Sequence, residues 1–216
     1  MTHLKRQKVS KRWPIPRKGT KFVVSPSFSP TRGVPILVVL RDMLKICQNR
    51  KESKKALHAK QILLNSKIVK DDRQSALLFD TISIVPAEKY YRLGLSSNGK
   101  YSLEEIQEKE TNFKVTKVVD KRILKRKKIQ LNLYDGKNFL SDTKCNVGDS
   151  VVINFKKKKI EKCLPLTDKV KIVIVEGKHA GKGGFLEKLK PERKMAKLNL
   201  EGKEINVLIK QIMVVE

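Results

Sequence analysis

The sequence predicts an α+β protein, and three observations predict it. Apolar residues keep helical spacing at Leu37, Leu40, Met43, Leu44 and Cys47, ahead of a second helix that begins near Asn49. Short Val/Ile/Leu-rich or alternating runs fill most of the chain beyond residue 61. Turn dipeptides separate those runs, among them Asn65-Ser66, Asp135-Gly136 and Gly148-Asp149. The expected organisation is an extended basic arm over 1–35, a small helix–helix–hairpin domain over 36–88, a β-rich central domain over 89–165 and a further small β domain over 166–216.

The chain carries 49 Lys and Arg against 22 Asp and Glu, a net charge of +27 on 216 residues. A compact chain this unbalanced repels itself unless a polyanion surrounds it, and nucleic acid fits that role best. An anionic membrane surface would call for a basic amphipathic helix or a polybasic run beside an anchor, and neither is present. No run is long enough to span a bilayer, and the positive N-terminus is not followed by the apolar stretch of a signal peptide. Hydrophobic residues make up 39%, enough for real cores. Cys47, Cys145 and Cys163 are far apart with no CxxC pair and read as reduced, partly buried thiols; no metal site and no cofactor is expected.

The arm, residues 1–35, holds Lys5, Arg6, Lys8, Lys11, Arg12, Arg17, Lys18, Lys21 and Arg32, and the first acid of the chain is Asp42. Prolines at 14, 16, 26, 30 and 35 exclude a long helix or an inner strand. Such a segment is expected to order along phosphates, with Lys5, Arg6, Arg12, Arg17 and Lys18 as contacts. Trp13 and Phe22 either stack on bases or dock on the protein's own body; both readings stand at this point.

In the second region the helix after Asn49 reads RKESKKALHAK, with Asn49 as N-cap and Glu52 completing a capping-box pattern. Lys51, Lys54, Lys55 and His58 share its polar face. Strands ILL (62–64) and KIV (67–69) flank the Asn65-Ser66 turn, and Phe79–Ile84 closes the domain. Residues Asn49–Lys54 and Ile62–Val69 resemble the Ser-Arg-Arg-Glu-Ala-Arg and Val-x-Val-Asn-Gly-x-x-Val segments of the RNA-binding fold named after bacterial ribosomal protein four. That resemblance implies that Arg50, Lys51, Lys54, Lys55, His58, Asn65 and Lys67 face RNA. Lys60 and Ser66 stand where that family commonly has Gly.

The central region is expected to be β. Ile129, Leu131 and Leu133 alternate with polar residues up to Asp135-Gly136, and VVINF at 151–155 follows Gly148-Asp149. Residues 102–109 read as a helix capped by Ser102. Basic residues, read as loop residues, crowd this region at Lys114, Lys117, Lys121 and Arg122, at 125–128 and at 156–159; Arg122, Lys125 and Arg126 are carried as RNA contacts, mostly diffuse ones.

In the last region a strand at 170–175 leads into the loop EGKHAGKGGF (176–185), followed by strand-like segments up to the C-terminus, with a turn at Glu201-Gly202. Lys182 is followed by Gly183 rather than Ser or Thr, so the loop is not an NTPase phosphate loop. Its glycine spacing resembles the KOW motif of small SH3-like barrels in ribosomal proteins and transcription elongation factors, which implies an SH3-like KOW β-barrel over 166–216 and RNA contact by Lys178, His179 and Lys182.

The order of parts, with HLKR at 3–6 and Trp13 downstream, resembles the archaeal and eukaryotic type of small-subunit ribosomal protein four over essentially the whole chain. A stop shortly after the barrel favours an archaeal source. The resemblance implies a cytoplasmic, non-enzymatic structural constituent of the small ribosomal subunit. Its partners would be 16S-type small-subunit ribosomal RNA, held by electrostatics and shape, and neighbouring small-subunit ribosomal proteins, with no homo-oligomer, membrane or small-molecule substrate. The competing class is an RNA-binding accessory factor for ribosome assembly, RNA modification or KOW-type transcription elongation. A pseudouridine synthase would need a catalytic domain larger than the roughly 80 residues between the two modules. A polymerase-touching factor would leave the arm and the helical motif unexplained. His3, His58 and His179 lie in three separate basic stretches and form no catalytic constellation.

Overall fold

The Asn65-Ser66 turn joins Ile62–Leu64 to Lys67–Ile68 at the edge of a five-stranded antiparallel sheet. The computed structural model describes residues 3–124, 128–141, 144–200 and 202–215. These form two compact units, one of residues up to Ser96 with Lys100–Asn112, the other of Ser97–Gly99 with Phe113 onward.

In the first unit the sheet runs Lys67–Ile68, Ile62–Leu64, Thr81–Ile84, Lys89–Leu95, Tyr101–Glu105. Two helical segments lie beside it. Ile36–Val38 continues as a π-helical turn over Val39–Met43, where the Leu44 N–H reaches back to the Val39 carbonyl at 2.9 Å. Arg50–His58 is an α-helix whose cap, Asn49, accepts from the Glu52 N–H at 3.0 Å, while the Glu52 carboxylate accepts from the Gln48 N–H at 2.7 Å. Ser53 and Leu57 turn inward and join Ile36, Leu40, Ile62, Ile82 and Leu93 in burial.

The helix ends in a Schellman arrangement: the Lys60 N–H bonds the Leu57 carbonyl and the Gln61 N–H bonds the Ala56 carbonyl, with Lys60 left-handed at φ 56°. Asn65 and Ser66 also have positive φ, 51° and 61°, the two-residue turn that matches strand twist. Lys60 and Ser66, the two positions where the similar RNA-binding fold commonly has Gly, are thus left-handed yet occupied by residues that bear a Cβ.

Three sequence expectations are corrected. Residues 102–109 are not a helix: Tyr101–Glu105 is a strand, and a 3-10 turn covers Glu108–Asn112. Pairing of Leu103 with Leu93 and of Tyr101 with Leu95 buries apolar area that an isolated acidic helix would leave in water. Residues 89–105 therefore extend the first sheet. The N-terminal segment is not laid out free of the body. Leu4–Lys5 pairs with Phe22–Val23, the Trp13 indole N–H donates to the Gly33 carbonyl at 2.7 Å, and the Tyr101 N–H donates to the Arg12 carbonyl at 2.9 Å. Trp13 is 2% exposed, so it docks rather than stacks.

The third correction lies in the second unit, where Lys114 and Lys117 are buried on the strand Phe113–Ile123 rather than carried on loops. That strand centres one five-stranded sheet, ordered Asn138–Leu140, Ile129–Leu133, Phe113–Ile123, Ser150–Asn154, Lys159–Leu164. A second sheet is ordered Lys203–Leu208, Met195–Leu200, Gly183–Lys190, Lys171–Ile174, Ile212–Val214. Lys117 Nζ donates to the Ile209 and Ile212 carbonyls at 2.6 and 2.9 Å, and the Val214 N–H donates to Ser150 Oγ at 3.0 Å, fastening one sheet to the other. Gly184 allows close packing here, since a Cβ would sit 2.3 Å from the Asn199 carbonyl oxygen.

Candidate nucleic-acid interface

Lys51, Lys54, Lys55 and His58 spread over the side of the helix away from Ser53 and Leu57, and Arg50, seven positions before Leu57, flanks the buried stripe at the helix start. Arg50, Lys51, Lys54, Lys55 and His58 are all exposed. Arg50 is oriented by Asp72: Nε to Oδ2 is 2.5 Å and Nη2 to Oδ1 is 3.1 Å, with the acid almost fully buried. Burial pushes the Asp72 carboxyl up, but hydrogen bonding and charge from Arg50 outweigh it and hold the group below its ordinary value. Hydrogen bonding to Asp72 raises the Arg50 guanidinium in turn. A charged, bidentate pair results, and it fixes the start of the cationic face.

Lys67 is exposed on the edge strand Lys67–Ile68. Asn65 is turned inward. It is 6% exposed, its amide donates to Asp80 Oδ1 at 2.8 Å, and its carbonyl accepts from the Thr81 N–H at 3.0 Å. The side chain supports the turn from inside, as expected of an Asn that bonds nearby backbone.

In the N-terminal segment Lys5, Arg17 and Lys18 are exposed and Arg12 is half-buried. Arg6 clamps its own neighbourhood: Nε to the Thr20 carbonyl at 2.7 Å, Nη1 to the Pro16 carbonyl at 2.8 Å and Nη2 to Thr20 Oγ1 at 2.8 Å. In the second unit Lys178 and Lys182 are exposed and His179 half-buried, on the turn between Lys171–Ile174 and Gly183–Lys190. Arg122 is exposed and pairs with Asp120 at 3.2 Å. Lys125 and Arg126 lie outside the described residues, as does Glu201 of the expected Glu201-Gly202 turn.

The first unit also holds a cavity of about 390 Å³ that gathers Arg6, Arg41, Arg50 and Arg73 with Phe22 and His3. Arg41 and Arg73 are absent from the sequence-based site; they lie 32 positions apart, and only the tertiary fold brings them to Arg6 and Arg50. Among the described residues no group of three or more His, Cys, Asp or Glu is arranged to hold a metal ion. No helix among them is long and apolar enough to cross a membrane.

The chain matches the family model described as "Ribosomal family S4e" over residues 87–160. It is 36% identical to the small ribosomal subunit protein eS4 of Methanocella arvoryzae over 197 residues, 90% of this chain and 83% of that one. It is 31% identical to the eS4 protein of Archaeoglobus fulgidus over 209 residues, 95% and 88% of the two chains. Its fold is similar to the crystal structure of the 30S ribosomal protein S4e from Thermoplasma acidophilum, with a TM-score of 0.73 at 22% identity, covering 85% of this chain and 95% of that one. With at least 31% identity over 90% or more of its length to these eS4 proteins, the chain belongs to the ribosomal S4e family.

Proposed function

We propose that the chain is a structural constituent of the small ribosomal subunit that binds and stabilises 16S-type ribosomal RNA, in contact with neighbouring small-subunit proteins and within cytoplasmic ribosomes. The observation that carries this reading is the near-full-length relatedness to archaeal eS4 proteins. Net charge and the cationic helix face supply the physics: each neutralised phosphate releases condensed counterions, so many weak contacts add up to tight, salt-dependent binding. The role is structural, not catalytic.

On this reading Arg50–His58 with the Asn65-Ser66 hairpin is the RNA-binding module, and the last sheet with its glycine loop is a KOW-type SH3-like barrel presenting Lys178, His179 and Lys182. The exposed Lys5, Arg17, Lys18 and Lys67 contribute phosphate contacts. RNA helices hide their base edges in a deep groove, so recognition is by backbone and shape.

Sedimentation of the endogenous protein through a sucrose gradient, repeated after a salt wash, tests the reading. Stoichiometric migration with the small subunit that survives moderate salt is the expected result. Substoichiometric material that washes off readily would instead indicate an assembly, modification or transcription factor.

A further inference from the structure

We propose that the arginine-lined cavity of the first unit holds the phosphate of one unstacked RNA nucleotide whose base lies against Phe22, an inference that rests on the RNA-binding reading above. Four guanidinium groups and no carboxylate line the cavity. Asp42 engages Arg41 through Nε and Nη2 at 3.2 and 2.8 Å, and Asp72 engages Arg50 through the same pair of atoms. Both acids thus grip one edge of the fork. Nη1 of Arg41 and of Arg50 keeps its N–H donors, and Arg6 retains one on each terminal nitrogen beyond its bonds to Pro16 and Thr20. Arg73 Nε is anchored on the Ser25 carbonyl at 2.9 Å.

Arginines already held in one geometry lose little freedom when an anion arrives, and a planar fork matches phosphate oxygens in pairs. A volume near 390 Å³ falls in the range of small-ligand sites.

The aromatic wall narrows the ligand from anion to nucleotide. Phe22 is 47% exposed although it sits on a paired strand opposite Lys5. The His3 ring stands nearly perpendicular to it, 83° between planes with centroids 5.2 Å apart, and Lys21 Nζ sits over one face of the ring, 5.5 Å from its centroid. An exposed ring fixed beside guanidinium groups is a stacking platform for a base, and a base is free to stack only where RNA is single-stranded or splayed.

The test uses the full chain and a labelled short single-stranded oligouridine, with anisotropy titrations at several salt concentrations. Phe22→Leu should weaken binding about tenfold or more at every salt concentration, leaving the slope of log affinity against log salt unchanged, because stacking is not ionic. Phe22→Tyr should restore affinity. Arg41→Gln should reduce the magnitude of the slope by about 0.7, one single-strand phosphate contact. Thermal unfolding confirms that each variant is folded.

Unchanged affinity in Phe22→Leu, or a loss that fades with salt, overturns the assignment. Uridine monophosphate competing as well as the oligonucleotide overturns it in favour of a free-nucleotide site. A wild-type chain that sediments with small subunits while Phe22→Leu binds like wild type removes this site alone, whereas failure to sediment with them removes the parent reading.

Discussion

The Lys114 ammonium stands 3.0 Å from the Asp135 carboxylate with both side chains shut off from water, 1% and 2% exposed. Burial pushes the Asp135 carboxyl up, yet Lys114 and Lys137 outweigh that and hold it below its ordinary value. Because the folded value is the lower one, Asp135 stabilises the fold fully above its ordinary carboxylate range, and that contribution is lost as pH falls below that range and through the lower folded value. Asp135→Leu should therefore cost about 3–5 kcal/mol, since it strands a buried ammonium. Adding Lys114→Met should recover most of the loss, leaving about 1 kcal/mol for the Lys137 N–H that Asp135 Oδ1 had accepted. Urea unfolding of the two single variants and the double variant measures this.

Lys117 acts in the same sense but in a different pH window, because here burial destabilises the charged form. Burial lowers its ammonium to about 8, against 10.5 in water, with Glu176 opposing the shift. The unfolded chain binds that proton more tightly, so stability should rise between pH 8 and 10.5, by up to about 3 kcal/mol. Lys117→Met should abolish the rise. Denaturant midpoints across that pH window, compared between the two proteins, give the answer.

Replacing Ser66 with glycine should stabilise the first unit. Ser66 holds φ 61° and Lys60 φ 56°, where an L side chain costs about 1–2 kcal/mol and glycine almost nothing. Glycine's greater freedom in the unfolded chain offsets part of the gain, leaving about 0.5–1 kcal/mol for each of Ser66→Gly and Lys60→Gly. Raised melting temperatures, additive in the double variant, are the expected outcome.

Trp13 is the chain's one tryptophan, and its emission should be blue-shifted in the native protein and move red as the first unit opens. Trp13→Phe keeps most of the apolar contact but leaves the Gly33 carbonyl without its donor. A loss of about 1–3 kcal/mol is expected, read by circular dichroism.

The features legible in the sequence are those that local chemistry decides. Asn49 caps its helix because the Asx side chain and Glu52 three positions on satisfy early N–H groups, a pattern visible in any such string. The Asn65-Ser66 turn and the strands Lys171–Ile174 and Met195–Leu200 likewise follow from turn chemistry and apolar runs. The failures share one cause, long-range pairing. Nothing near Ser102 signals that Leu93 will take Leu103 as its partner, and an acidic run favours helix until that pairing exists. The inward bonds of Asn65 to Asp80 and Thr81, 15 and 16 positions on, are equally invisible to local spacing. Arg41 and Arg73 become neighbours of Arg6 only once the N-terminal segment has folded back, so no spacing rule would have grouped them.

The bond from the Tyr101 N–H to the Arg12 carbonyl sets an order of events during synthesis. Ribosomes add about 5–20 residues per second, so the basic N-terminal segment exists for on the order of ten seconds before Tyr101, which fastens it at Arg12, has been made. Throughout that interval Trp13 and a run of unopposed cations are without part of their final surroundings. A newborn chain therefore passes through a stage at which its basic N-terminal segment still lacks the strand that supplies this bond.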